Sequence, residues 1–420
     1  YFLNKFKKMM LGYSILVHIV WFLSTYFIVV FLLTLLKNKS RLYKSPKFGK
    51  NSYLPKVSIV VSAYNEEKKI ADSIESLKDV DYPKELYEVI IVNDGSKDRT
   101  SEVVLKHADG KNIVFIDNRE NTGKAACLNQ GIKIAKGDYV ACMDADSIVS
   151  KDVLQKTVPY FSNRKIGAVT VSVEVKNANN FLQKIIQLEY MLGLSLFLKV
   201  FSSFNCVHVT PGPFSIYRKS LLEKIHGFDE NNITEDLEIA YRIHKSGFRI
   251  ANCMDTRVKT ITPHNIKILY RQRRRWYSGA LMTLWQHKDV VLKKKMGLFG
   301  YFIPFNYTLI TFGLGLFLLS TYLTISNAIK NISLYAFTNY NFFSNISLKL
   351  DLLSFSIFTI FGLSGIIGMI VLVTAGLKAI RNSPKRSLSV YFGYFLLFFM
   401  YQAFWLASFF LVIFRRKVRW

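Results

Sequence analysis

The chain has 420 residues, enough for one large domain or two ordinary ones. It carries a net charge of +27, yet half of its residues are apolar and 15% are aromatic. That pairing argues against a soluble nucleic-acid binder and fits a membrane protein with basic cytoplasmic surfaces.

Residues 9–36 contain no Asp, Glu, Lys or Arg, and neither do 297–329, 352–377 and 387–414. Each stretch exceeds the roughly 20 residues that a helix needs to cross the hydrocarbon core. One such stretch reads equally as a buried core helix; four of this length predict membrane spans. The first is too long and too bulky for a cleaved signal peptide. Residues 37–56 follow with seven Lys or Arg and no acid. This juxtamembrane basic linker places the next domain on the cytoplasmic side. It either touches anionic lipid head groups or is simply solvated.

From Val57 the pattern changes. VSIVVSAYNEE is a short apolar run with a polar end, as in a buried parallel strand. EVIIVNDGS, NIVFIDN and DYVACMDADS repeat that form. Helical periodicity fills the gaps, in KKIADSIESLKDV, DRTSEVVLKHA and GKAACLNQGIKIA. Strands alternating with helices predict a doubly wound, mostly parallel α/β sheet. Ligands of such sheets bind at the carboxyl ends of the strands, which here are Tyr64–Glu66, Asn93–Ser96 and Asp144–Asp146. Cys127, Cys142, Cys206 and Cys253 all fall in this polar middle, without metal-type spacing, as suits a reducing cytosol. Residues 181–205 are amphipathic but carry Lys184, Glu189 and Lys199. They read as an interfacial helix, with a core helix as the competing view. A second interfacial helix is expected over 264–295. Three spans then complete the chain over 296–420.

The loop 330–351 is poor in charge and reads as external, whereas 378–386 carries four basic residues and reads as cytoplasmic. Three spans after a cytoplasmic domain put the final RRKVRW outside, against the charge rule. The chain starts at Tyr1 rather than Met, which leaves room for a further upstream span.

The chemistry-bearing motifs lie between these spans. In MDADS, Asp144 and Asp146 stand two apart at a strand end, where two carboxylates repel unless a divalent cation lies between them and a diphosphate. Oxygen donors suit Mg²⁺ or Mn²⁺. In VNDGS, Asp94 either accepts from a nucleobase or ribose, or forms a plain Asx-turn with Gly95. In ENTGKAACLNQG, Lys124 at a helix start is either a diphosphate site or part of an ordinary capped helix. In NITEDLEIA, Glu235 and Asp236 are acids of a first helical turn after Thr234, or include the carboxylate that deprotonates an attacking hydroxyl. In QRRRW, Gln272, Arg275 and Trp276 share one helical face, fit to hold a diphosphate and stack on a sugar. Arg271, Arg273 and Arg274 are expected to point elsewhere, towards lipid phosphates or along the helix as braces.

In this order, YNE, NDGS, GKAACLNQG, DAD, TED and QRRRW resemble the motifs of processive family 2 glycosyltransferases, which make cellulose, chitin, hyaluronan and poly-N-acetylglucosamine at membranes. The resemblance covers about residues 57–290. It implies a GT-A fold over 57–263, a nucleotide-sugar donor (a UDP-sugar), a divalent metal and a glycan or lipid acceptor. By position it implies that Tyr64, Glu66 and Asp94 hold the base, Lys124 the diphosphate, and Asp144 the nucleotide. Asp146 becomes the main metal ligand with Asp144, and Asp236, beside Glu235, the general base. Gln272, Arg275 and Trp276 become the QxxRW match. TPGPFSIYR at 210–218 is similar to the acceptor-path segment of hyaluronan synthases, although Pro211 stands where those commonly carry Ser. Hyaluronan synthases also usually depart from TED, which this chain keeps; the resemblance therefore leans to poly-N-acetylglucosamine, chitin or cellulose-like enzymes. The expected protein is a multi-pass, inverting glycosyltransferase of the cell membrane that elongates a β-linked polysaccharide. Transfer of a single sugar to a polyprenyl phosphate or glycolipid is the alternative. Oligomeric state is not legible.

Overall fold

Among the described residues eight strands form one sheet, in the order β3 (Ile113–Asn118), β2 (Tyr87–Asp94), β1 (Val57–Ala63), β4 (Tyr139–Asp144), β7 (Ser215–Arg218), β6 (Ile166–Val175), β8 (Arg249–Thr260) and β5 (Ile148–Val149). A computed structural model describes residues 2–49, 53–108, 112–338, 357–381 and 387–414; most of the 330–351 loop, residues 382–386 and RRKVRW lie outside them. β1 (Val57–Ala63), β2 (Tyr87–Asp94), β3 (Ile113–Asn118) and β4 (Tyr139–Asp144) pair in parallel. Val57, Ile59, Val60, Val61 and Ala63 are all buried. This near-continuous apolar run is what a strand covered on both faces requires. Each buried Val or Ile among them contributes about 1.5–3 kcal/mol. The crossovers run through α2 (Ile70–Lys78), α3 (Thr100–His107) and α4 (Lys124–Ile134).

The other half of the sheet is mixed, beyond what the alternating pattern predicts. β5 (Ile148–Val149) leaves β4 after the DAD turn and pairs antiparallel with β8 (Arg249–Thr260) at the far edge. After α5 (Val153–Thr157) comes β6 (Ile166–Val175), parallel to β8. β7 (Ser215–Arg218) runs antiparallel to both β4 and β6 and so joins the two halves. α8 (Lys219–Lys224) and α9 (Glu235–Lys245) follow it.

Residues 181–203 form one helical stretch, α6 (Phe181–Tyr190), a π-helical segment (Met191–Phe197) and α7 (Leu198–Ser203). Its start is specified locally. Asn180 accepts from the Gln183 backbone N–H at 2.9 Å, and the Gln183 side chain accepts in return, a capping box. The stretch packs against β6 and β8 on one side, and α6 meets α13 (Leu388–Ile413). Glu189 and Lys199 within it are therefore held by the protein itself, whereas Lys184 is exposed. α10 (Ile266–Gln286) carries QRRRW; its N-cap Asn265 accepts from the Ile268 N–H at 2.9 Å.

The chain divides into two compact units. The one just described comprises residues 37–302 and 377–420. The other comprises residues 1–36 and 303–376, from α1 (Phe2–Asn38), α11 (Leu298–Thr338) and α12 (Ile357–Ala379). Within it Trp21 donates to Ser364 at 2.7 Å and stacks on Phe361, and Phe27 stacks on Phe305. α11 extends helically to Thr338, past the expected end of its apolar stretch. Among the described residues five helical stretches have the length and composition of a membrane span: Leu11–Arg41, Phe181–Ser203, Leu298–Lys330, Ile360–Ala379 and Leu388–Ile413. Phe181–Ser203 stands apart, because most of it is buried inside the protein.

Gly137 lies where β4 begins, and a Cβ there would sit 2.5 Å from the Ser58 backbone nitrogen of β1. Backbone cannot give way as a side-chain tip can. Gly137→Ala is expected to destabilise the fold by about 1–3 kcal/mol, read as a lower Tm in detergent; an unchanged Tm would contradict this packing.

Candidate active site

The carboxyl edge of the parallel half gathers the predicted residues. At the first strand end, Asn65 adopts φ +54° and its N–H donates to Ser96 Oγ at 2.9 Å, while its side chain accepts from the Lys97 N–H at 2.8 Å. The loops after β1 and β2 are thus tied together. Tyr64 is exposed beside them. The Glu66 N–H donates to Thr100 at 2.8 Å, and its carboxylate pairs with Lys69 at 2.9 Å.

Asp94 ends β2 and is buried. Its carboxylate accepts from the Thr122 N–H at 2.7 Å and the Gly123 N–H at 3.0 Å. The bond to Gly123 holds that residue at φ +96°, immediately before Lys124. Asp94 is therefore more than an Asx-turn residue, since its main contacts lie 28 residues on. Gly95 is required beside it: φ is +67° and a Cβ would meet the Glu120 carbonyl carbon at 2.6 Å.

Lys124 is the hub. Its Nζ lies 2.6 Å from Asp144 Oδ1 and 2.7 Å from Glu235 Oε1, and so joins α4, β4 and α9. Burial works against its charge, but Asp144, Glu235 and Asp236 hold its pKa well above the ordinary lysine value. Gly212 of the TPGP segment backs onto the pair. A Cβ there would meet Lys124 Nζ at 2.7 Å and Asp144 Oδ2 at 2.9 Å. The Asp144 N–H donates to the Gly212 carbonyl at 3.1 Å.

Asp146 lies at the crossing from β4 to β5 and accepts from the Thr260 hydroxyl at 3.3 Å. Burial, then the Asp144 and Glu66 charges, push its carboxyl up to about 6. Among the described residues no group of three or more His, Cys, Asp or Glu forms a closed metal cage. The donor set that is present fits a hard divalent cation all the same. Two carboxylates in mutual repulsion are relieved by Mg²⁺ or Mn²⁺, and such ions commonly take one or two protein carboxylates with substrate phosphates supplying the rest.

Glu235 and Asp236 separate in role. Glu235 is buried and paired with Lys124. Asp236 forms no ion pair among the described residues. Burial, then the Glu235 charge, push Asp236 up to about 6, against the lowering pull of Lys124 and Arg275. Its main chain is anchored, since its carbonyl accepts from both the N–H and the hydroxyl of Thr210. Thr234 occupies the N-cap position, but its hydroxyl donates to Asn232 at 3.2 Å rather than capping the helix.

α10 is fastened onto this segment. Asn232 donates to Thr283 at 3.0 Å and Gln286 at 3.1 Å, and Gln286 donates to Asp229 at 2.8 Å. Gly279 allows the contact, because a Cβ there would lie 2.2 Å from Thr234 Oγ1. Arg275 is near enough to Asp236 to lower its pKa. Gln272 is half-buried beside Tyr190. Trp276 is covered on one side by Arg273, whose guanidinium carbon lies 4.1 Å from the ring centroid. Of the two roles expected for Arg273, lipid contact or brace, the structure favours the brace: it is 1% exposed and bonded to Glu189 at 2.8 Å. Arg271 is exposed, and Arg274 lies over Tyr270. Sequence reasoning missed Gly212, Gly279 and the Arg273–Glu189 pair. One signal for the last was present: Arg273 and Trp276 are three apart on a helix, and Glu189 is the sole acid in an apolar helical stretch.

A sheet of this order, with an Asp-x-Asp turn, a lysine and a buried acid at its carboxyl edge, is that of a GT-A glycosyl-transfer domain. Residues 58–226 match the profile of glycosyl transferase family 2. The chain is 30% identical over 292 residues to poly-β-1,6-N-acetyl-D-glucosamine synthase of Staphylococcus aureus strain COL, covering 69% of each chain. It is 31% identical over 264 residues to the synthase of that name from Staphylococcus epidermidis, covering 62% of this chain and 63% of that one. The chain belongs to the family 2 glycosyltransferases. In fold it is similar to a mannosyltransferase, PcManGT from Pyrobaculum calidifontis, solved in complex with GDP-Man and Mn²⁺. The TM-score is 0.61 at 18% identity, covering 96% of this chain and all of that one.

Gly212→Ala is expected to push Lys124 away from Asp144 and to cut turnover about 10²-fold, the scale of a catalytic misplacement near 1 Å. The Tm should change little. Turnover equal to wild type would show that this close approach is dispensable.

Proposed function

We propose that this chain is a membrane-embedded, inverting glycosyltransferase that extends a β-1,6-linked N-acetylglucosamine polymer from UDP-N-acetylglucosamine. The observation that carries the reading is the convergence of Asp144, Lys124, Glu235 and Asp236 at one sheet edge, in a chain related to poly-β-1,6-N-acetylglucosamine synthases. In this reading residues 57–263 are the catalytic domain on the cytoplasmic side. Residues 37–56 form its basic linker and 264–295 the segment bearing QxxRW. Residues 1–36 and 296–420 supply the spans.

Tyr64, Glu66 and Asp94 border the nucleoside, with Asp94 also shaping the loop that presents Lys124. The Lys124 ammonium exchanges its Asp144 contact for the donor diphosphate as the donor arrives, and it stabilises the departing UDP. Asp146, with Asp144, would hold Mg²⁺ or Mn²⁺, which supplies charge neutralisation at the diphosphate when bound. Asp236 takes the proton of the acceptor hydroxyl. The hydroxyl oxygen forms its bond to the anomeric carbon as the bond from that carbon to the phosphate oxygen breaks, and UDP leaves with the electron pair. One base suffices, because inversion needs no covalent intermediate. A carboxyl near 6 is well placed for this work, since it is ionised at neutral pH yet more basic than a free aspartate. Glu235 keeps Lys124 charged and in place. Arg275 and Gln272 face the diphosphate, and Trp276 stacks on the acceptor sugar.

Asp236→Asn is expected to lower transfer by about 10²–10⁴-fold while leaving UDP affinity intact; near wild-type turnover would show that another group is the base. Only the ionised form of Asp236 accepts the proton, so kcat at saturating donor and Mg²⁺ should be flat above pH 7 and fall below about 6. A profile flat down to pH 5 contradicts the assignment. Treatment with EDTA should abolish transfer and added Mg²⁺ or Mn²⁺ restore it; activity that survives chelation removes the metal from the scheme. Digestion and sizing of the product from UDP-N-acetylglucosamine test the polymer itself. A low-mass lipid-linked product would replace polymer synthesis by single transfer.

A further inference from the structure

Glu189, Arg273 and Tyr401 close a hydrogen-bonded triangle between three helices, α6, α10 and α13. Arg273 Nη2 donates to Glu189 Oε2 at 2.8 Å, and its Nε donates to the Tyr401 hydroxyl at 3.2 Å. That hydroxyl donates to the same Glu189 Oε2 at 2.7 Å. The guanidinium fills the space between aromatic rings, 4.1 Å from the Trp276 centroid, 5.2 Å from Tyr401 and 6.0 Å from Tyr190. Arg273 Nη1 is buried with no hydrogen-bond partner among the described residues, as is Gln272 Oε1 next to it in sequence.

A buried ion pair is weak evidence of a role in stability, because well-packed apolar groups of the same volume commonly do as well or better. This one also leaves a buried donor unsatisfied, a cost that a purely structural contact would be expected to avoid. What the triangle does achieve is directional. A planar cation against one face of an indole fixes the plane of the ring and occupies that face. The cation is fixed in turn by a carboxylate on α6 and a phenol on α13. Trp276 is half-buried with one face against this guanidinium, at an orientation set by residues outside its own helix.

We propose that Glu189, Arg273 and Tyr401 are positioning residues for the acceptor platform, holding the Trp276 ring so that its other face meets the acceptor sugar. The inference rests on the reading of Trp276 as the stacking surface. It adds that this surface is set by α13, so that acceptor binding depends on how this C-terminal helix docks on the catalytic domain. Gly393 of α13 lets that docking be close, because a Cβ there would lie 2.5 Å from Ile185 of α6.

The test uses the full chain in lipid nanodiscs, UDP-N-acetylglucosamine as donor and a short β-1,6-linked N-acetylglucosamine oligosaccharide as acceptor. Arg273→Met and Glu189→Gln are each expected to raise the acceptor KM about 10-fold, the scale of one lost cation–π contact in a desolvated site. The affinity for UDP should be unchanged. Arg273→Lys, which keeps charge but not the planar fork, should behave as Arg273→Met does. Tyr401→Phe removes a single hydroxyl, leaves the fold intact and should raise the acceptor KM by a smaller factor. The double variant Glu189→Leu with Arg273→Met should recover thermal stability without recovering the acceptor KM. Recovery of both, or parallel loss of donor and acceptor affinity in every variant, would reduce the triangle to a structural brace. Trp276→Ala separates the two levels of the argument. If it leaves the acceptor KM unchanged, the platform and the inference fall together. If it raises the KM while the Tyr401 and Glu189 variants do not, the inference alone falls.

Discussion

One lysine among four carboxylates sets the geometry on which this site depends. Burial, then the Asp144 and Glu66 charges, drive Asp146 up to about 6, and burial, then the Glu235 charge, does the same for Asp236. Like charges about 4 Å apart near a protein surface repel by about 4 kcal/mol. Lys124 offsets this by touching one carboxylate from β4 and one from α9. The cluster is thereby held poised. In the proposed function its surplus of negative charge calls for a cation, and its lysine is the group that meets an incoming diphosphate. Binding of the donor would exchange one set of charge partners for another within an arrangement that is already assembled.

The surrounding fold serves to hold that exchange in register. Asp94 fixes the turn before Lys124 through backbone N–H groups, and Gly212 brings the antiparallel β7 connection hard against the Lys124–Asp144 pair. On the other side, α10 is pinned to the segment that carries Asp236 through Asn232, Thr283 and Gln286, with Gly279 against Thr234. Asp236 and Trp276 are thus both set by one helix, half of it docked on the acidic segment and half carrying Trp276. A rigid mount of this kind is what a transfer reaction needs, since misplacement by about 1 Å is enough to lose most of the rate.

Much of this was legible along the chain. The four parallel strands and their crossover helices announce themselves through buried apolar runs with polar ends. Asp94, Lys124, Asp144, Asp146 and the TED acids stand at the predicted strand ends and helix starts. The mixed half of the sheet was not legible: β7 is four residues long and β5 is two, too short for a period to show. The 181–203 stretch was ambiguous for a related reason. Its composition satisfies a membrane interface and a protein core equally, and only its neighbours β6, β8 and α13 decide between them. Whether Arg273 meets lipid or braces the helix was not legible, because a run of arginines looks alike in sequence, whereas one of them has an acid 84 residues upstream to pair with.

The sequence by itself determined the kind of chemistry, because motif order and strand-end position restrict which side chains reach a common edge, and local periodicity carries that information. The tertiary structure decided how the shared residues divide their work. It gave Glu235 to Lys124 and raised the Asp236 carboxyl through burial; it made Asp94 a brace for a distant turn; and it buried Arg273 behind Trp276. Each of these outcomes rests on charge and contact between segments far apart in the chain, where distance and burial set the energy and sequence spacing carries no signal.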